Sequence, residues 1–364
     1  MHSIASFDDF ASQLRAFIAR TPPDAPPDQT HTEFNRLASA LFSLQADAVP
    51  VYGKLCAKRK IVFVQDWREI PALPVSAFKE YEVTSLPLTE RTRVFHSSGV
   101  TQQKPSRHFH NAQSLALYED SLLPWFCRHL PPLTGDHSSL LFLTPSAALA
   151  PHSSLAHMFD TIGRQFPNSR FTGQLDSQGF WALDLGQTLA ALNQAQSASQ
   201  PVALLGTAFS FVHLLDHCQA TQTRYRLPAG SRAMETGGYK GRSRVVSKLA
   251  LRQMMTRWLG IPESRILAEY GMCELSSQAY DRVVPGPGAV FEFPPWARAQ
   301  IISPETGRQA GEGETGMIRV FDLANLRSVM AVQTEDLAVR RGDGFELIGR
   351  EADAPPRGCS LMLQ

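Results

Sequence analysis

Two short apolar runs, 139–144 and 201–206, are each followed by a helix-period pattern, and this alternation constrains the fold more than any other feature. A strand of continuous apolar residues must be covered on both faces, and a helix returning to the next parallel strand supplies that cover. The same grammar recurs nearby. Residues 92–96 read as a strand entering a Ser/Gly turn, with a helix at about 112–123; 245–259 read as an amphipathic helix, and 265–270 as a strand before another polar turn. These runs predict an α/β fold with a mostly parallel sheet. After about Pro285 the pattern changes to short strands at 290–293, 300–303, 317–322, 329–334, 337–341 and 345–348, separated by Gly, Pro, Asp and Asn. Gly342-Asp343-Gly344 is a hairpin signal, so the expectation is a C-terminal β-meander packed on the α/β body.

Phe7, Phe10, Leu14, Phe17 and Ile18 follow helical spacing behind Ser6 as a cap. Residues 21–29 carry four prolines and read as a loop, helix resumes at about 33–46, and 194–200 read as an exposed polar loop. The chain accordingly divides into a helical region (1–70), an α/β nucleotide-binding body (71–285), a β-rich subdomain (286–350) and a tail (351–364) carrying Cys359. The 43% hydrophobic content is ample for a core, and 35 basic against 34 acidic residues leave no field to attract nucleic acid or a membrane surface. Cys56, Cys127, Cys218, Cys273 and Cys359 are scattered without a C-x-x-C pair, which argues against a disulfide framework or a structural zinc site. No apolar stretch approaches a membrane span and no signal segment opens the chain, so a cytoplasmic protein is expected. His108, His110, His152 and His157 lack metal-ligand companions and read as structural or surface residues.

Four segments carry chemistry. In 97–106, Ser97, Ser98, Gly99 and Thr101 follow a strand and Lys104 adds a mobile charge, a composition that fits phosphate oxygens or a plain polar turn. In 234–242, Gly237 and Gly238 permit close approach to a flat ligand, with Lys240 and Arg242 beside them; a solvated β-turn reads equally well. In 269–278, Tyr270 and Gly271 precede Glu274, a carboxylate suited to a hard cation such as Mg²⁺, and Tyr270 could stack on a base. In the fourth, Asp336 ends one expected strand and opens another, placed to accept from two ribose hydroxyls, and Arg350 follows the last strand.

In this order and spacing the four segments resemble the adenylate-forming enzyme superfamily, and within it the acyl-protein synthetase branch, the fatty-acid activating component of bacterial bioluminescence. Phenylacetate–CoA ligases are more distant relatives. The resemblance covers roughly 70–364 and rests most on the run 270–278 and on the tail Arg357-Gly358-Cys359-Ser360-Leu361. It implies ATP and Mg²⁺ as cofactors and a carboxylic acid, expected to be fatty, as substrate. The acid would be activated as acyl-AMP and transferred to a thiol for a partner such as an acyl reductase or acyl carrier. It further implies that Ser97, Ser98, Gly99, Thr101 and Lys104 surround phosphates and that Gly237 and Gly238 line the adenine pocket with Tyr270 and Gly271. Glu274 binds Mg²⁺, Asp336 holds the ribose, Arg350 serves as hinge or phosphate contact, and Cys359 accepts the acyl group.

The superfamily's mobile C-terminal domain, whose lysine bonds the reacting carboxylate, is absent from this reading, and Lys240 or Lys104 is expected to supply that cation. Val100 and Gln102 replace a threonine and a glycine of the phosphate loop, and Cys273 replaces a threonine before Glu274. Each lost hydroxyl is worth roughly 1.5–3 kcal/mol against a charged group, so adenylation is expected to slow by about 10²–10⁴ if both losses add. Cys359 lies nine residues past Arg350, a reach of about 30 Å when extended, and Arg357 beside it favours the thiolate. Two other readings keep part of this picture: an acyltransferase passing acyl groups to CoA, a carrier thiol or an amine, and a non-catalytic acyl- or reductase-binding subunit. The apolar positions near 204–215, with Phe209 and Phe211, fit an acyl pocket or core packing.

Overall fold

The computed structural model describes residues 4–23, 25–97, 104–131, 139–166, 168–237, 244–286 and 288–350. Helices α1 (Phe7–Arg20), α2 (Pro27–Ala48) and α3 (Pro50–Arg59) lead into a short strand β1 (Leu73–Pro74) and a helical turn α4 (Ala77–Glu80). The hairpin β2 (Arg93–His96)–β3 (Arg107–His110) precedes α5 (Ala112–His129). Then come β4 (Ser139–Phe142), α6 (Ser154–Gly163), β5 (Arg170–Phe171), β6 (Gly173–Leu175), β7 (Trp181–Leu183) and α7 (Leu185–Ser197). The body closes with β8 (Val202–Thr207), α8 (Ala208–Thr221), β9 (Arg232–Thr236), α9 (Lys248–Leu259), β10 (Ile266–Tyr270) and β11 (Ala279–Tyr280). Strands β12 (Ala297–Ile302), β13 (Thr315–Asp322), β14 (Ala331–Arg341) and β15 (Gly344–Arg350) follow.

The α/β expectation holds. The larger sheet runs β11-β10-β9-β8-β4-β5, parallel throughout except for β11 at its edge. All six residues of β8 are buried, as a strand covered on both faces requires. Because side chains alternate across a strand, neighbouring residues enter different cores. Leu140, Phe142, Leu205, Met234 and Leu267 face a core shared with α1, α2 and α5, whereas Leu141, Leu204, Ala233 and Ile266 face α8 and α9. The meander is also present: β12 to β15 pair antiparallel in sequence order, Gly342 takes φ +57 in the tight turn between β14 and β15, and β1 adds in parallel along β14.

The N-terminal helices belong to the same core. Ser6 caps α1 by accepting from the Asp9 amide. Gln45 on α2 is fully buried; its Nε2 donates to Asn325 O (2.7 Å) and its Oε1 accepts from Met330 N (2.9 Å), which ties the helix to the β13–β14 connection. Among the described residues no helix is long and apolar enough to cross a membrane.

Several boundaries differ from the sequence reading. The proline-rich 21–29 stretch is loop only up to Pro26, since a proline at the first helical position has no amide to lose and α2 starts at Pro27. Residues 194–197 belong to the last turn of α7 rather than to a loop. The run 290–293 makes only isolated bridges, Phe291 with Phe345 and Glu292 with Tyr280. The expected strands 329–334 and 337–341 are one strand, β14, in which Glu335 and Asp336 are simply polar positions; Asp336 therefore sits inside a strand, not between two.

Close packing at the carboxyl end of β4 yields a sharp test. A Cβ on Gly173 would fall 2.0 Å from the Thr144 carbonyl carbon and 2.3 Å from Pro145 N, both backbone atoms. Gly173→Ala should cost about 1–3 kcal/mol or more by overpacking. Urea denaturation reads this directly, and an unchanged midpoint would contradict the crossing.

Candidate active site

In an open parallel sheet, ligands bind beyond the carboxyl ends of the strands. Here β8, β9 and β10 end together, and the ladder sets Thr207 beside Thr236, Thr236 beside Glu269, and Glu269 beside Tyr280. Immediately past β9, Gly237 adopts φ +64, a left-handed conformation that explains a glycine there. Past β10 the chain turns at Gly271. Two of the four chemistry-bearing segments thus leave adjacent strands at one edge.

The fourth segment joins them from the other sheet. Tyr270 Oη donates to Asp336 Oδ2 at 2.8 Å, a bond between residues 66 positions apart. Asp336 stands opposite Arg350 in the β14–β15 ladder, so the backbone brings both sequence-predicted residues to one spot. The Tyr270 ring is buried and packs edge-to-face against Phe291, Phe293 and Phe345, with centroids 6.2, 6.2 and 5.4 Å away. Lys248 at the start of α9 places Nζ 4.4 Å from the Phe291 centroid, a cation beside this aromatic cluster.

The run 272–278 is interior structure, not a surface turn. Glu274 is 3% exposed, and Ser276 and Ser277 are fully buried. Asp322, at the end of β13 and itself 0% exposed, accepts from Ser276 N (2.8 Å), Ser277 N (2.8 Å), Ser277 Oγ (2.7 Å) and Ala324 N (3.0 Å). Asn325 Nδ2 donates to Glu274 O (2.9 Å). Tyr118 and Ser121 of α5 bond Gln278 and Ser277 from the other side. These ties fix the backbone that carries Glu274. The Cys273 thiol, bonded to the Glu274 carboxylate, is pushed well above its ordinary pKa, first by burial and then by that neighbouring charge.

His108 connects this run to the first segment. It lies on β3, one arm of the hairpin that holds the phosphate-type loop, and its Nδ1 is 2.8 Å from Cys273 O while Nε2 is 3.0 Å from Ser328 Oγ. Burial lowers its pKa to about 4, so it is neutral, and with Nδ1–H donating to the carbonyl its Nε2 accepts from the serine. The structural role expected for His108 is correct, and that role is to hold two site segments in register.

At the base of the loop, Ser97 Oγ accepts from Ser106 N (2.9 Å) and Ser97 N donates to Ser106 O (3.2 Å), so this hydroxyl helps close the loop. Lys104 is exposed. Ser98, Gly99, Val100, Thr101 and Gln102, then Gly238, Lys240 and Arg242, and finally Cys359 lie outside the described residues. The other four cysteines are free, with Cys56, Cys218 and Cys273 buried and Cys127 half-buried. The 204–215 run resolves toward core packing, for Leu204, Phe211, Leu214 and Leu215 are 0% exposed between the sheet and its covering helices, with Phe209 half-buried.

Two further carboxyls stand at this edge. Thr236 Oγ1 donates to Glu269 Oε2, yet burial, reinforced by Glu235, holds the Glu269 carboxyl up at about 7. Glu235 is also buried and raised by burial, and its Oε1 has no hydrogen-bond partner among the described residues.

Among the described residues no three His, Cys, Asp or Glu groups converge as a metal cluster. Glu274 alone is one hard oxygen ligand. That set fits Mg²⁺, which commonly takes one or two protein carboxylates and completes its shell with phosphate and water.

The parallel sheet and the meander sheet, joined in this chain by the Tyr270–Asp336 bond, match the adenylate-forming ligase fold. Solved structures give that statement its measure. An open conformation of 2-hydroxyisobutyryl-CoA ligase in complex with 2-HIB-AMP and CoA aligns with TM-score 0.65 at 10% identity, over 92% of this chain and 75% of that one. ATP-bound MatB from Rhodopseudomonas palustris aligns with TM-score 0.50 at 16% identity, over 73% of this chain and 49% of that one. No family model and no curated protein matches the sequence.

Proposed function

We propose that this chain activates a carboxylic acid with ATP and passes the acyl group to a thiol. The observation that carries this reading is the convergence of Tyr270, Asp336 and the Glu274 turn at the carboxyl edge of the parallel sheet. In the first step a carboxylate oxygen attacks the α-phosphorus of ATP, the bond to the bridging oxygen breaks, and pyrophosphate leaves with the electron pair. In the second a thiolate attacks the acyl carbon and AMP departs. Ser97, Ser98, Gly99, Thr101 and Lys104 surround the phosphates, Gly237 and Gly238 admit the adenine, and Asp336 accepts from the ribose hydroxyls. Glu274 supplies the protein ligand to Mg²⁺, whose contribution is to neutralise phosphate charge. Lys240 or Lys104 offsets the carboxylate. Cys359 is the acceptor for delivery to an acyl reductase or carrier, with a fatty acid as the cargo implied by the sequence resemblance.

A second reading replaces Cys359 by CoA. The ligase sharing this fold is solved with CoA bound, which supports giving that acceptor equal standing in the test. Intact-mass measurement after incubation with ATP, Mg²⁺ and a panel of acids, with and without CoA, should show a covalent acyl adduct that Cys359→Ser abolishes. Acyl-CoA formation without an adduct supports the second reading. Acyl transfer from a supplied thioester without ATP, or no turnover with any acid, would refute acid activation.

A further inference from the structure

The parallel sheet carries a polar row at its carboxyl edge, where the proposed function puts the reacting acid. On the face that carries Leu205, Met234 and Leu267, the residues at the carboxyl edge are Thr207, Thr236 and Glu269, in register with one another and with Tyr280 on β11. All four are buried. The Glu269 side chain rises toward the edge, for a Cβ added to Gly271 would lie 2.4 Å from Glu269 Oε1. The carboxyl therefore reaches the turn between Tyr270 and Glu274, beside the glycine exit of β9.

Among the described residues Glu269 forms no ion pair. Its one hydrogen-bonded side chain is Thr236, and its neighbours Glu235, Tyr118 and Tyr280 bring no positive charge. Burying a carboxyl with a single hydroxyl donor is costly, and its other oxygen has capacity to accept. An alkyl chain laid against it would worsen that cost, whereas an ammonium or hydroxyl on the ligand would relieve it.

We infer that Glu269 is a specificity-determining residue and that the acid carries a hydrogen-bond donor of its own, an amine or a hydroxyl, rather than a plain fatty chain. This rests on the acid-activation reading above and narrows its substrate class. Sites built to bond a polar substrate group reject analogues lacking it, because the protein group is then left unpaired.

The test is ATP–pyrophosphate exchange by the full chain with acids matched in length: unsubstituted, hydroxyl-bearing and amine-bearing, substituted near to or far from the carboxylate. Wild type should favour one donor-bearing series by about 10-fold or more in kcat/KM. The amine and hydroxyl arms identify which donor is read. Glu269→Gln should erase most of a preference for amines, and Glu269→Leu should shift preference toward unsubstituted acids. Ratios between two acids on one variant do not depend on how much of that variant is folded. Wild-type preference for plain acids, unchanged ratios in both variants, or a change confined to the KM for ATP would each overturn the inference while leaving acid activation intact. Exchange with no acid at all would overturn the underlying function and this inference with it.

Discussion

Asp322→Ala is expected to lower stability by about 4 kcal/mol and to disorganise the turn that carries Glu274. The wild-type carboxyl accepts from three backbone amides and from the Ser277 hydroxyl, at a position with no solvent exposure. Each buried donor left without a partner costs about 1–3 kcal/mol, so four donors amount to about 4–12 kcal/mol, and about 4 kcal/mol is expected once relaxation or an entering water recovers one or two. Asp322→Asn retains an acceptor oxygen but turns an NH₂ group toward other donors, so it should recover only part of the loss. Urea denaturation of both variants separates these outcomes. A loss under about 1 kcal/mol for alanine would mean that the turn is held by its other ties, Asn325 to Glu274 O and Tyr118 to Gln278.

That dependence was invisible in the sequence, and the reason is physical. A strand-ending aspartate followed by Leu323 and Ala324 reads as an ordinary exposed terminus, and nothing local announces that its acceptors serve amides some 45 positions earlier. His108 escaped for the same reason, since a histidine bridging two loops looks like any histidine in a strand. Features governed by neighbours in the chain were far more legible. The continuous apolar runs located β4 and β8, the Gly342-Asp343 turn located the last hairpin, and Ser6 marked the start of α1. The resemblance also named Tyr270, Asp336 and Arg350 together, and the structure sets them side by side, although the sequence reading put Asp336 at a strand break. A charged pair inside a strand resembles a turn until the partner strands that satisfy its backbone are known. The polar row at the carboxyl edge was the least legible part, because which face of the sheet Glu269 occupies depends on strand register rather than on composition.

Asp336 is the residue on which the proposed nucleotide binding makes its sharpest demand. If its carboxylate accepts from both ribose hydroxyls, each bond to a charged group is worth about 1.5–3 kcal/mol, and Asp336→Ala should weaken ATP and AMP binding by about 10²–10⁴. Tyr270→Phe keeps the ring among Phe291, Phe293 and Phe345 but removes the hydroxyl that donates to Asp336 Oδ2, so a smaller loss of about 10-fold is expected through misorientation of the carboxylate. The two changes should not add. Once Asp336 is alanine, the tyrosine hydroxyl has lost the acceptor through which it would act, and the double variant should bind no worse than Asp336→Ala alone. Calorimetric titration with AMP measures all three proteins without requiring turnover, so it is independent of which acid is used. AMP affinity in Asp336→Ala within about 3-fold of wild type would remove the ribose assignment. A fully additive double variant would instead leave Asp336 in place and assign the Tyr270 hydroxyl its own contact with the nucleotide.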